Sequence, residues 1–369
     1  MKYYDLDTPA LIIDKERMMN NIKFMQAYAE KNNCTLRPHT KTHKTPALAK
    51  LQEAMGAKGI AVAKIGEAEV MAENGLMDIF IANEVIGKQK FARIAALAQK
   101  GIAISFGVDT PIQITQANEV FAEVGVKVSV LIEIEVGENR SGIIEESAFY
   151  ELLEVIKAAS NVELKGLFSH DGNTYKAKDL AECIKLSSYA QERTLYFAKL
   201  AADFGMPCET ISYGSTPTFM NEVPILPGIT ELRPGTYILM DCGQGAAIGT
   251  LDKCAATILA SVISRPTPER TILDVGAKGL TKEDRDGGIC QTHGKGTILE
   301  YPETHIDANY DEHAIILDKN FHDSVIVGDK VRIIPNHICP VCNLYEKAYL
   351  IEGDEVVDEL DIACRLKLQ

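Results

Sequence analysis

The chain has 369 residues, 46% apolar and 24% charged, with a formal net charge of -14. That length exceeds what one hydrophobic core usually serves, so two domains, or one large barrel with an addition, are expected. The acidic balance argues against a nucleic-acid or anionic-membrane partner, and nine cysteines spread over so long a chain read as reduced thiols rather than a disulfide framework. A cytoplasmic protein is expected, because Met1-Lys-Tyr-Tyr-Asp-Leu-Asp leads into no apolar signal-peptide core and no apolar run approaches the ~18 residues of a membrane span.

From about residue 10, short β-branched runs alternate with longer segments of helical period. Leu11-Ile-Ile reads as a strand and Lys15 to Asn32 as an amphipathic helix. Thr35-Leu-Arg precedes a helix from Pro46 to Gly56, and Gly59-Ile-Ala-Val-Ala one that begins near Gly66. Asp78-Ile-Phe-Ile-Ala precedes a helix around Lys88 to Lys100. Ala103-Ile-Ser-Phe-Gly-Val, Lys127-Val-Ser-Val-Leu-Ile-Glu-Ile and Leu164-Lys-Gly-Leu-Phe-Ser extend the series. Glu209-Thr-Ile-Ser-Tyr and Glu231-Leu-Arg close it. Roughly eight βα units are the count and length of a parallel (β/α)8 barrel, here over residues 10–245. A doubly wound open sheet competes, but no Gly-x-Gly-x-x-Gly follows the first strand. After about residue 245, runs such as Cys254-Ala-Ala-Thr-Ile-Leu, Arg270-Thr-Ile-Leu, Lys330-Val-Arg-Ile-Ile and Lys347-Ala-Tyr-Leu-Ile follow without long helices. They predict a C-terminal antiparallel β-domain of residues 246–369 together with 1–9.

In a barrel the chemistry gathers at the strand C-termini, and polar residues do follow the strand-like runs: His39 and Lys41, Asn83, Asp109, Arg140, His170 and Asp171, and Ser215. The densest cluster is Arg37-Pro-His-Thr-Lys-Thr-His-Lys44. So many cations beside a proline make a poor strand or helix, and suit a strand end that handles an anion or an electrophile. A lysine among cations is expected to have a depressed pKa, which supplies a free amine for imine formation.

Tyr213-Gly-Ser-Thr-Pro-Thr218 offers small hydroxyl residues after a strand, and Leu232-Arg-Pro-Gly-Thr-Tyr237 follows one unit later. Taken singly, the first is as well read as a turn and helix cap. Two such corners in adjacent late units fit the phosphate cradle of a barrel, and a phosphorylated cofactor with an imine-forming lysine suggests pyridoxal phosphate. Val136-Gly-Glu-Asn-Arg-Ser-Gly142 sets Arg140 between glycines, fit to meet an anion or phenolate, although a plain surface turn is the bland alternative. In Pro335-Asn-His-Ile-Cys-Pro-Val-Cys-Asn343, an extended strand would put His337 and Cys339 on one face as half of a zinc site. Cys339-Pro-Val-Cys342 as half of a zinc ribbon needs a second pair that Cys364 alone does not supply. Cys342, Cys208, Cys254 and Cys364 read by default as inert buried thiols.

Together with Asp7-Thr-Pro-Ala-Leu, these motifs make the chain resemble the fold-type III pyridoxal phosphate enzymes, with an alanine-racemase-like barrel and a C-terminal β-domain. Within that class it is similar to the D-serine dehydratases and D-threonine aldolases. The resemblance implies that Lys41, not Lys44, is the Schiff-base lysine, with His39 near it. It implies that Gly214, Ser215, Thr216, Gly235, Thr236 and Tyr237 hold the phosphate, that Arg140 lies near the cofactor ring and that Tyr175 lies beside its pyridine nitrogen. His337 and Cys339 would bind a metal, with zinc favoured by the thiolate over manganese or magnesium. His-x-Cys, like His170-Asp-Gly-Asn-Thr-Tyr, points to the dehydratase branch, whereas the aldolases tend to carry His-x-Asp. The implied activity is β-elimination from a D-amino acid, D-serine foremost, to a keto acid and ammonia. Aldol cleavage of D-threonine or a 3-hydroxy-D-amino acid is the alternative, and racemisation or mere cofactor carriage stand further off. A homodimer acting on a small molecule is expected.

Overall fold

In the computed structural model, which describes residues 1–369, the β-branched runs become strands and the amphipathic segments between them become helices. The strands in chain order are β1 (Ala10–Asp14), β2 (Thr35–Leu36), β3 (Ile60–Val62), β4 (Asp78–Glu84), β5 (Ala103–Val108), β6 (Val128–Glu133), β7 (Val162–Phe168), β8 (Thr210–Tyr213) and β9 (Glu231–Leu232). The eight from β2 to β9 form one parallel sheet in the order β2-β9-β8-β7-β6-β5-β4-β3. The remaining seam is joined where the Thr40 amide donates to the Ala61 carbonyl and the Ala61 amide to the Pro38 carbonyl, both at 2.8 Å. The expected β/α barrel is present. Its strands are nearly continuous apolar runs because a parallel sheet wrapped by helices is buried on both faces. Ala61, Phe80, Leu131 and Phe168 fill the interior, with Phe80 and Phe168 edge to face at 5.1 Å.

One strand departs from the expected series. Leu11-Ile-Ile lies in β1, and β1 is no barrel strand. It pairs antiparallel with Ala256–Thr267, Ala10 opposite Leu259, and parallel with Lys347–Glu352, Leu11 opposite Ala348. Ala10 to Ile13 are all buried, as in any central strand, so hydrophobic pattern alone does not choose which sheet takes them. The C-terminal strands and β1 build a second, ten-stranded and mostly antiparallel sheet, the expected β-domain.

The chain divides into two compact units: Met1–Phe24, Thr42–Ala47 and Thr236–Arg365 in one, and Met25–Lys41, Leu48–Gly235 and Leu366–Gln369 in the other. The barrel is thus entered and left several times. Two of the crossings fall at the peptide bonds Lys41–Thr42 and Gly235–Thr236.

Candidate cofactor cradle and metal pair

In the barrel unit the basic cluster separates into a structural and a site-facing part. Arg37, read from sequence as one of the site's cations, is 3% exposed and bonded through Nε to Glu231 at 2.7 Å and through its two terminal nitrogens to Asp78 at 2.8 and 3.2 Å. Asp78 opens β4, at the end of the barrel opposite to the strand C-termini. Arg37 therefore closes the stable end of the barrel instead of meeting a ligand. Beyond it, His39 donates its amide to Pro234 O at 2.8 Å, and its Nδ1 accepts the Lys41 amide at 3.4 Å. This turn sets half-buried Lys41 just past the end of β2, as expected of a strand-end lysine. Lys44 is in the other unit, at φ 56°, with its carbonyl taken by the Cys364 amide.

Gly214 follows β8 at φ 120°, and a Cβ there would stand 1.8 Å from the Phe219 ring. Its glycine is demanded by backbone and packing before any ligand is considered. Ser215 caps the short helix Thr216–Met220. The Ser215 hydroxyl is 3.3 Å from both Thr174 Oγ1 and Thr218 Oγ1, while buried Asp171 accepts Tyr213 Oη at 2.5 Å and Thr218 Oγ1 at 2.6 Å. Thr216 Oγ1 is buried with no hydrogen-bond partner in the protein. A hydroxyl left so is costly unless something accepts from it or donates to it, which is the fit expected of a phosphate cradle. The second corner, Gly235-Thr236-Tyr237, leads into the turn Thr236–Ile238, where Tyr237 is fully buried.

Arg140 follows β6 and is held by two carboxylates, Glu133 at 3.3 Å and Glu138 at 3.4 Å. Glu138 also meets His170 Nδ1 at 2.8 Å, and the His170 and Tyr175 rings stack at 6.4 Å. Bonding to His170, followed by the fields of His170, Arg140 and Lys41, outweighs burial and holds the Glu138 carboxyl below its usual range. The two loops interlock. A Cβ on Gly172 would come within 2.1 Å of Glu138 Oε1, and one on Gly137 within 2.7 Å of Asn173 Nδ2. Behind them burial, with the neighbouring Glu133, pushes Glu84 up to about 9. Glu133 itself is lowered, because bonds from Glu84 and Ser141 and the charge of Arg140 overcome its burial. The two neighbouring carboxyls are thus pushed in opposite directions. Glu84 and Glu138 carry no local signal in the sequence, because their partners, Glu133 and His170, lie on other strand ends.

In the other unit His337 and Cys339 come together, but not along a strand. His337 is the N-cap of the helix Ile338–Cys342, at φ -144° and ψ 109°, and Cys339 sits in that helix's first turn. The strand expected here ends at Ile334, since Pro335 and Pro340 favour a turn over a ladder. Cap geometry, rather than strand alternation, makes the pair. Burial would raise the Cys339 thiol, but His337 brings it down to about 7, with Thr236 and Thr42 hydroxyls 3.4 and 3.2 Å from the sulfur. Burial would lower His337, but Cys339 and Glu283 carry it up to about 10. Thr42 and Thr236 are the chain neighbours of Lys41 and Gly235. Imidazole and incipient thiolate are a donor set suited to a borderline-soft metal. No cluster of three or more potential ligands forms in the chain, so a zinc ribbon is excluded and the pair stands alone. Cys342, Cys208 and Cys254 have thiols raised by burial, as inert cysteines should.

Residues 13–242 match the family described as alanine racemase, N-terminal domain, and residues 255–351 that described as putative serine dehydratase domain. A D-threonine aldolase of Arthrobacter sp is 31% identical over 98% of this chain and 93% of its own. The crystal structure of D-threonine aldolase from Filomicrobium marinum superposes with a TM-score of 0.89 at 29% identity, covering 100% of this chain and 98% of that one. D-threo-3-hydroxyaspartate dehydratase from Delftia sp. HT23 superposes at 0.91 with 27% identity, over 99% of both chains. That dehydratase is also solved as a variant at a histidine and as one at a cysteine two positions later, the latter in its metal-free form. The chain belongs to the fold-type III pyridoxal phosphate enzymes with an alanine-racemase-like barrel, in the family that holds the D-threonine aldolases and D-serine dehydratases.

Proposed function

We propose that this protein is a pyridoxal phosphate- and zinc-dependent ammonia-lyase of β-hydroxy D-amino acids, with D-serine its foremost substrate. The observation that carries the reading is the His337–Cys339 pair, an imidazole and a thiol brought down to about 7, backed by the Glu283 carboxylate. The Delftia dehydratase supports it, since the histidine and cysteine varied there have the same spacing.

Lys41, at the end of β2, would hold the cofactor through its amine and then take the substrate's α-proton. Gly214, Ser215 and Thr216, with Gly235 and Thr236, would bind the phosphate, and Thr216 Oγ1 would gain there the partner that the protein denies it. Arg140, held by Glu133 and Glu138, would lie near the ring, and Tyr175 beside the ring nitrogen. Bound there, the cofactor supplies an electron sink at the α-carbon and the metal a Lewis acid for the departing hydroxyl. His337 and Cys339 would hold the metal as its protein ligands, and it would polarise the β-hydroxyl. Overall, a β-hydroxy amino acid yields a keto acid and ammonia. Nine free cysteines suit a reducing cytoplasm.

A second reading is aldol cleavage, favoured by the 31% identity to the Arthrobacter D-threonine aldolase. The same constellation would then deprotonate the β-hydroxyl and break the α–β bond. A panel of D-serine, D-threonine and threo-3-hydroxy-D-aspartate, with their enantiomers, decides between them. Keto acid and ammonia support the lyase proposed, glycine with an aldehyde supports the aldolase, and an inverted substrate alone defeats both.

A further inference from the structure

Glu283 lies in the irregular segment between the short helix Ala277–Leu280 and the strand Thr297–Ile298, with no regular element to fix it. Its carboxylate is nevertheless tightly placed. Both oxygens are 2.8 Å from His337 Nδ1. The segment is fastened by the residue before the histidine: Asn336, 3% exposed, donates through Nδ2 to Glu283 O at 3.2 Å and to Gly294 O at 2.9 Å. Asn336 thus grips the backbone of Glu283 while Glu283 grips the side chain of His337. The two contacts form a closed clamp across more than fifty residues of sequence.

An imidazole has two nitrogens, and the hydrogen bond made by one fixes what the other can do. With Nδ1–H turned to Glu283, Nε2 is the nitrogen left with a lone pair for a metal. The adjoining carboxylate makes that lone pair more basic and locks the ring plane. Both Glu283 oxygens face Nδ1, so the residue acts through His337 and is not itself aimed at the ion.

From this geometry we infer that Glu283 is the positioning residue of the metal pair: it selects the Nε2-ligating tautomer of His337 and sets the affinity for a divalent, thiolate-preferring cation. The inference rests on the reading of His337 and Cys339 as metal ligands. It adds a residue that no motif marks.

The test is zinc binding to cofactor-loaded, metal-stripped protein, read by competition with a chromophoric chelator at one fixed pH. Glu283→Ala should weaken zinc about 10–100-fold, the usual effect of losing such a partner. Glu283→Gln, which still accepts from Nδ1–H but carries no charge, should fall between it and the unaltered protein. Cofactor absorbance and the melting transition of the metal-stripped variants should match those of the unaltered protein, which separates loss of metal from loss of fold. Equal zinc affinity in Glu283→Ala and the unaltered protein overturns the role of Glu283 while leaving the pair intact. Failure of the unaltered protein to bind zinc, or binding that survives His337→Ala, overturns the pair itself and the inference with it.

Discussion

Replacing Arg37 by methionine separates the cations that build the barrel from those that serve its mouth. The guanidinium is almost fully enclosed and answers two carboxylates, of which Glu231 is 4% exposed and Asp78 30%. Methionine fills much of the same space but leaves Glu231 without its ion pair, with the Ser212 hydroxyl at 2.7 Å and the field of buried Arg233. Breaking a buried pair by removing one partner costs about 3–5 kcal/mol, because the remaining charge stays buried. At roughly 2–4 °C per kcal/mol for a unit of this size, the melting midpoint should drop by about 6–20 °C. Adding Glu231→Gln to Arg37→Met should recover part of that loss, since it removes the stranded charge. Scanning calorimetry gives the stability, and borohydride labelling of Lys41 well below the transition gives the cofactor loading. The folded fraction of Arg37→Met should load normally. A variant that melts like the parent but loads no cofactor would refute the argument and return Arg37 to the anion site.

Borohydride reduction of the holoprotein should place the cofactor label on Lys41, absent in Lys41→Ala and retained in Lys44→Ala; a label on Lys44 would shift the register of the motif. Thr216→Val removes a buried hydroxyl that has no partner in the protein. It should leave the cofactor-free protein as stable or about 1 kcal/mol more stable, while weakening cofactor affinity measured by equilibrium dialysis. A stability loss without change in affinity would return the loop to a plain helix cap. Glu84→Gln tests the raised Glu84 carboxyl. Because the folded-state pKa of Glu84 is raised to about 9, its contribution to stability is fully present below the ordinary carboxylate pKa and is lost as pH rises through about 9. Melting midpoints across that window should therefore fall less steeply in Glu84→Gln than in the parent, and parallel curves would show that the Glu84 carboxyl is not raised.

The sequence made the barrel legible because its strands are short, uniformly apolar and regularly spaced. Only β1 was misplaced, since four buried residues in a row look alike in either sheet. Lys41 and the glycine corners stand out in the sequence because each signal is local. Arg37 misled for the opposite reason: its meaning lies in Asp78 and Glu231, distant in sequence and adjacent across the barrel. The spacing of His337 and Cys339 suggests a strand, yet the geometry that brings them together is a helix cap. Gly214 is among the residues expected to hold the phosphate, whereas its φ and the Phe219 ring already require a glycine there. Gly172 and Gly137 became interpretable only once Glu138 and Asn173 were seen filling the space that they leave. Glu283 carries no local signal, because an acidic residue in an irregular segment looks like any solvated loop.

Metal removal from the holoenzyme, with keto-acid release from D-serine as the readout, is the sharpest test of the His337–Cys339 site. There the pair would hold a catalytic ion with open coordination positions, so a chelator should reach it. Stripping should abolish keto-acid formation while cofactor absorbance and the melting transition largely persist, and added zinc should restore turnover. Undiminished keto-acid formation by demonstrably metal-free protein would contradict the account.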